Sequence, residues 1–532
     1  NAAVPAWIDA AVTRGLSADP TRRFPSMDAL LARLADDPRV RRRRRLAAAI
    51  GVTVFAGLVA AAWPRAEVPV DPCAGMGAEL APIWNDDRRR ALGERFVASE
   101  LRYAESSAIT VSNALDDFSR GWVGAREQAC RDHAEGRQSD ALFDRRMSCL
   151  DGRVDQLRAT VEVLLEADAK QVERAAELVA GLPELAACSD AEALAEEFPL
   201  PEDPELRRRH DEARRVLAQA QVLTRADRYQ EGLDILQTLD PEVVAIAHPP
   251  LIADHGLVKG TALLQLGRYE AAVETLETVY VEAVVHHLPH PAAVATVTIM
   301  NALGTHLHRA EDSASWALHA EAWTRADGSP LMRAAHETTL ANLERSVGHY
   351  DAAIAGFREG IAIIEADQGP NSPQLRFALT NLGATYMHTD RFAEAVDTYA
   401  RLQQLYEHLY GVHPKLALAL RGRADAEWRM GLFEPAREHL HRSLEITQET
   451  LGADSIACAQ VLVSLGRLEE EHGDLDSASE RYREALKVFE RSGRPLDLMP
   501  PLNNLGEIAR KRGRFDEARE YYQKALDIAA DA

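Results

Sequence analysis

The feature that most restricts the fold of this chain is a pattern that returns at nearly constant spacing through its C-terminal part. A small turn residue is followed two positions on by an aromatic, three further on by alanine and four after that by a bulky side chain. GRYEAAVETL at Gly267, GHYDAAIAGF at Gly348, DRFAEAVDTY at Asp390, GLFEPAREHL at Gly431, GDLDSASERY at Gly473 and GRFDEAREYY at Gly513 all carry it. Weaker copies start at Asp227 and His308, which makes eight, with successive starts 40, 41, 40, 42, 41, 42 and 40 residues apart. A period of this size identifies a repeat architecture, because each unit must bury its apolar face against the next.

Each column has a physical role. Gly or Asp admits the left-handed backbone of a tight turn between two antiparallel helices. The aromatic (Tyr269, Tyr350, Phe392, Phe433, Phe515) is expected to plug the gap beside that turn. The alanine (Ala272, Ala353, Ala395, Ala436, Ala478, Ala518) lets the paired helices approach closely. The pattern resembles the tetratricopeptide repeat, whose Leu-Gly pair also recurs at Leu382-Gly383, Leu465-Gly466 and Leu505-Gly506. Its long period is similar to the variant found in kinesin light chains. The third copy departs, with Ala310 for the aromatic and Ser313 for the alanine. The resemblance implies an all-α solenoid over residues 204–532, with a concave groove lined by first helices that holds a peptide or extended protein segment. By repeat position Arg345, Asn381, Arg421, Trp428, Arg467, Asn504 and Arg510 are expected near that groove. The last helix pair ends at Ala532 without a solvating cap, so a homodimer or a covering partner is expected there.

A second feature lies near the other end. Leu46 to Trp63 carries no charged residue, and Arg41 to Arg45 precede it. Eighteen residues of helix reach about 27 Å, close to the roughly 30 Å of a bilayer core. The sequence alone therefore predicts one transmembrane helix within residues 39–65, in an inner-membrane, single-pass protein. The basic cluster would keep 1–45 cytoplasmic and leave 66–532 extracytoplasmic. The net charge of −22 makes nucleic acid an unsuitable partner for the bulk of the chain.

Residues 66–200 read as a helical stalk domain of long helices, roughly Pro82 to Ser106, Thr110 to His133, Ser139 to Ala167 and Ala169 to Leu185. Four of the five cysteines fall here: Cys73, Cys130, Cys149 and Cys188. An even number outside a membrane suggests disulfides, and four cysteines allow three pairings. A bend near Asp168 would bring Cys149 beside Cys188, and a turn near residues 106–109 would bring Cys73 and Cys130 toward the same end of their hairpin. Cys458, alone on a later helix, is expected in the core.

The run PAWIDAAVTRGLSADPTRRFPSMDALLARL, residues 5–34, resembles the last two helices of the C-lobe of bacterial Ser/Thr protein kinases. In that family Arg23 would be the structural arginine that pairs with a glutamate after the activation segment. The resemblance makes residues 1–38 an incomplete lobe end. The phosphate loop, strand lysine, catalytic loop and metal motif that phosphoryl transfer needs are not in this sequence. No cofactor is expected in this chain; ATP and Mg belong only to a kinase domain outside it. His286, His287, His290, His306 and His308 do not present a metal-ligand spacing on one helix face, and no catalytic acid, base and nucleophile converge. Two functions follow: the sensor and interaction part of a membrane-anchored Ser/Thr kinase, or a non-enzymatic membrane-anchored scaffold.

Overall fold

The computed structural model describes residues 4–37, 40–43, 73–191, 194 and 198–531, and no strand occurs among them. The chain forms two compact units, 1–74 and 75–532.

In the first unit, α1 (Ala6–Gly15) and α2 (Met27–Ala35) are joined by a turn that their own polar residues hold. Asp19 Oδ1 accepts from Thr21 N at 2.9 Å and Oγ1 at 2.7 Å, and Ser26 caps α2 by accepting from Ala29 N. Arg23 Nε donates to Ser17 O at 2.6 Å. The apolar faces of the two helices are largely open: Leu16, Met27 and Leu31 are all exposed, and Ala11 is the buried apolar side chain among the described residues of this unit. Two helices of ten and nine residues present too little surface to cover one another.

The second unit opens with α3 (Asp86–Val97), α4 (Ala104–Ala134), α5 (Asp140–Leu165) and α6 (Ala169–Ala180). The first long helix expected here is broken, because Glu100 takes a positive φ of 60° that a helix cannot continue through. Trp122 is fully buried and donates from Nε1 to Leu150 O at 2.7 Å. Cys149 and Cys188 form a disulfide, Cys73 and Cys130 are each in disulfide form as well, and Cys458 is free and buried. The core of this segment is continuous with the first repeat. Val222, Leu223 and Ala226, from the first repeat, complete the cluster around Trp122, Leu157 and Leu164.

Eight helix pairs follow. They are α7 (Pro204–Arg225) with α8 (Tyr229–Ile246), α9 (Pro249–Gln265) with α10 (Tyr269–Val285), α11 (Pro289–Asn301) with α12 (Ala310–Asp327), and α13 (Pro330–Ser346) with α14 (Tyr350–Gln368). Then come α15 (Leu375–His388) with α16 (Phe392–Tyr410), α17 (Pro414–Arg429) with α18 (Phe433–Leu451), α19 (Ile456–Glu471) with α20 (Leu475–Ser492), and α21 (Met499–Lys511) with α22 (Phe515–Asp531). All eight leading positions, from Asp227 to Gly513, have positive φ. The alanines at 272, 353, 395, 436 and 478 are fully buried. Ser313 substitutes for alanine by donating to Met300 O at 2.8 Å, just before a π-helical turn at Ala302–His306.

The Leu-Gly glycines make room for the bulky residue of the next helix. A Cβ on Gly466 would lie 2.6 Å from the Tyr482 ring, and one on Gly506 2.7 Å from Tyr522. The repeat aromatics reach forward to the following repeat. Tyr269 stacks on His306 at 4.6 Å, and Arg429 lies 4.5 Å over Phe392, each partner closing the first helix of the following repeat. Phe515, in the last described repeat, is 66% exposed.

The single-pass inner-membrane location is corrected by the structure. Among the described residues no helix is long and apolar enough to cross a membrane. The long helices α4 and α5 are interrupted by charge (Asp116, Asp117 and Arg120 in α4, Arg153 and Asp155 in α5), as amphipathic packing elements are. Leu46 to Trp63 lies outside the described residues.

Candidate functional site

Successive first helices approach one another across repeat boundaries more closely than second helices do, α9 with α11, α11 with α13, and α17 with α19 with α21. The first helices therefore line the inner curve of the array. On that inner face, residues four and seven apart along α17 bring Arg421, Asp425 and Trp428 to one side. From α19, Arg467 lays its guanidinium 4.4 Å over the Trp428 ring, and Trp428 Nε1 donates to Glu471 Oε2 at 2.8 Å. Burial pushes the Asp425 carboxyl up, while Arg421, Arg467 and a hydrogen bond from Ser464 pull the other way. The cluster thus offers two cations, a flat aromatic and an acid under tension between burial and charge. Such a set can grip the backbone and side chains of an extended segment.

The other expected groove residues lie apart from this cluster. Arg345 is half-buried on α13, where its Nε and the Oδ1 of Asn342 are buried without a partner. Asn381 Nδ2 donates to Phe377 O of its own helix at 3.1 Å. Asn504 is half-buried on α21. Arg510 is exposed and forked onto Glu507 at 2.5 and 2.8 Å, which holds that carboxyl down to about 2. Farther up the inner curve, Asp254 on α9 touches solvent but is enveloped by protein. Its carboxyl is pushed up to about 6 by burial, against the pull of His290 and Arg214. Asp425 and Glu471 were missed from sequence, although the four-residue step from Arg421 to Asp425 was there to find. Among the described residues no group of three or more His, Cys, Asp or Glu is arranged to hold a metal ion.

A second set of contacts joins the N-terminal helices to distant repeats. Tyr103 meets the His413 ring edge-on at 5.2 Å, and His413 Nε2 lies 3.3 Å from Glu173 O. Glu177 pairs with Arg376 at 2.6 Å and with Lys415. Gln368 donates to Glu184 at 3.0 Å, and Arg102 to Gln448 O at 3.3 Å. The helices that share a core with repeat one therefore also touch the turns that lead into repeats five, six and seven.

An α-solenoid of paired helices is the class these features define. Residues 257–280, 331–408, 375–440, 415–491 and 463–532 match models of the tetratricopeptide repeat, and the chain carries these repeats. One stretch is 25% identical over 147 residues to the secreted RxLR effector protein RXLR-C07 of Plasmopara halstedii, covering 27% of this chain. The chain spans 45% of the length of that relative. Among solved structures, BtubC from P. vanneervenii is 26% identical, covering 43% of this chain and 92% of its own, with a TM-score of 0.37. The apo quorum sensor NprR from B. thuringiensis is 14% identical, covering 71% and 97%, with a TM-score of 0.46. A putative kinesin light chain repeat protein of Podosopora anserina is 19% identical, covering 37% and 93%, with a TM-score of 0.33. The fold assignment rests on the repeat matches and on the chain's own geometry. Neither these matches nor the described residues show a kinase lobe, a membrane contact or a homodimer.

Proposed function

We propose that this chain is a protein-interaction scaffold whose inner curve holds an extended segment of a partner protein. The observation that carries the reading is the Arg421, Asp425, Trp428 and Arg467 cluster, which spans two adjacent first helices and presents an accessible cation over an aromatic face. Buried aromatic and arginine anchors dominate binding energy at protein interfaces, so such a cluster can decide affinity. The test is a peptide-library selection on the whole chain, repeated on Trp428→Ala and Arg467→Ala. Selected peptides should lose at least about tenfold in affinity on each variant, the loss expected of an interface anchor. Peptides that bind the folded variants as well as the parent would place the site elsewhere.

A finer reading attaches this scaffold to a Ser/Thr kinase, with residues 5–34 as the end of its catalytic lobe. The residue run supports it, together with an Arg23 that Nε anchors to Ser17 at the turn where that family places its structural arginine. ATP-dependent phosphate transfer by the full-length gene product tests it. A full-length product with no nucleotide-binding domain before Pro5 would exclude it.

A further inference from the structure

Between α6, the end of α7 and the turn that leads into α15 lies a cavity of about 200 Å³, lined by Arg174, Glu177, Gly181, Arg225, Pro373 and Arg376. That is far more than the roughly 10–15 Å³ that admits one water. Its walls come from the N-terminal helices on one side and from repeats one and five on the other, so it exists only while these parts are docked. Three of its nine lining residues are arginines.

The charges do not balance. Glu177 is shared by Arg376 at 2.6 Å, Arg174 at 3.3 Å and Lys415. Asp227 takes the other side of Arg174 and is 3.6 Å from Lys170. Arg225 has no carboxylate partner among the described residues. One of its N–H groups donates to Gly181 O at 2.8 Å, at the carbonyl end of α6. Arg174, Arg225, Arg376 and Lys415 thus face two carboxylates, and adding Lys170 and Glu173 contributes one charge of each sign. A guanidinium has five donors in a flat fork, so Arg225 keeps most of its capacity unused. Burial pushes its guanidinium down. An uncompensated cation in such a place is costly unless an anion joins it.

We propose that this cavity binds a small oxyanionic ligand, a phosphate or a carboxylate gripped by Arg225 and Arg376. The ligand would bridge the N-terminal helices to repeat five and so strengthen their docking. The site is separate from the inner-curve cluster around Trp428 and stands without it.

The experiment is calorimetric titration of the whole chain with inorganic phosphate and with succinate at constant ionic strength set by chloride. Arg225→Gln and Arg376→Gln are the test variants, and Arg208→Gln, on an exposed ion pair with Glu205, is the control. Saturable binding of either anion, weakened about tenfold or more by either test variant and unchanged in the control, supports the proposal; that is the effect of losing a charged hydrogen bond. Binding of phosphate alone assigns a phosphorylated ligand, succinate alone a carboxylate, and both a site that takes either. If Arg225→Gln fails to fold, Arg376→Gln and the parent titration still decide. No saturable binding of either anion, or binding that both folded variants keep, overturns it.

Discussion

Acid should loosen the contact between the N-terminal helices and repeats five and six, and His413 sets the size of the effect. The residue is 6% exposed and burial holds its imidazole down to about 4. Its Nδ1 accepts from Lys415 N at 3.2 Å, capping α17, while Nε2 faces Glu173 O. The neutral ring therefore carries its proton on Nε2, and charging it would put a second proton where Lys415 N–H already points. Tyr103, Tyr410 and Lys415 surround the ring and none supplies a compensating negative charge. The unfolded imidazole titrates near 6.5 and the folded one near 4, so stability is full above 6.5 and falls as pH drops toward 4. Between about pH 7 and pH 5 the linkage amounts to roughly 2 kcal/mol. Asn at 413 keeps a capping oxygen and removes the titration. Urea unfolding of the parent and of His413→Asn at both pH values measures the difference: the variant should be weaker at pH 7 and lose about 2 kcal/mol less on acidification. A variant whose acid sensitivity equals the parent's would refute the argument, because it would place the titrating group elsewhere.

Two further outcomes follow from the repeat columns. Gly466→Ala should cost about 1–3 kcal/mol as overpacking against Tyr482, and adding Tyr482→Leu should recover part of it; equal melting of Gly466→Ala and the parent would deny the close approach. His308 sits at φ 55° in a column that elsewhere holds glycine or aspartate, so His308→Gly should raise stability by about 1 kcal/mol, read as a shift of the urea midpoint at constant slope.

How much the sequence disclosed depended on whether a feature repeats. The eight turn positions, the buried alanines and the Leu-Gly close approaches were legible because each obeys a local steric rule at fixed spacing. A second column of positive φ at Ala247, His287, Gly328, Gly369, Gly411, Gly452 and Gly493, which turns each repeat into the next, has the same period and was overlooked. Five of its seven members are glycines, so the signal was present. The third repeat looked defective, yet Ser313 is satisfied by Met300 O beside a π-turn that residue types do not announce. The cavity and the His413 contact were beyond reach for another reason. Glu177 and Lys415 are hundreds of residues apart, and a single pairing at that distance leaves no periodic trace.

The two ends of the N-terminal helical segment are held by different physics, which fixes where the molecule opens. At repeat one, Trp122, Leu157 and Leu164 share an apolar core with Val222, Leu223 and Ala226, and water exclusion there is insensitive to salt or mild acid. At repeats five to seven the contacts are Glu177 with Arg376 and Lys415, Gln368 with Glu184, Arg102 with a backbone carbonyl, and His413. Glu177 is nearly buried while its partners Arg376 and Lys415 are partly exposed, so a screening length of roughly 3 Å in 1 M salt weakens these pairs in part. Fluorophores placed on Glu105→Cys and Glu449→Cys, both exposed, report the far contact, and a pair on α5 and α7 reports the near one. Lowering the pH to about 5 in about 1 M salt should separate the first pair and leave the second unchanged, because the ion pairs of Asp155 and Asp227 at repeat one are backed by an apolar core and the far contacts are not. Separation of both pairs together would show that the segment and repeat one do not move as one body, and a fixed first pair would show that the polar contacts bear none of the docking energy.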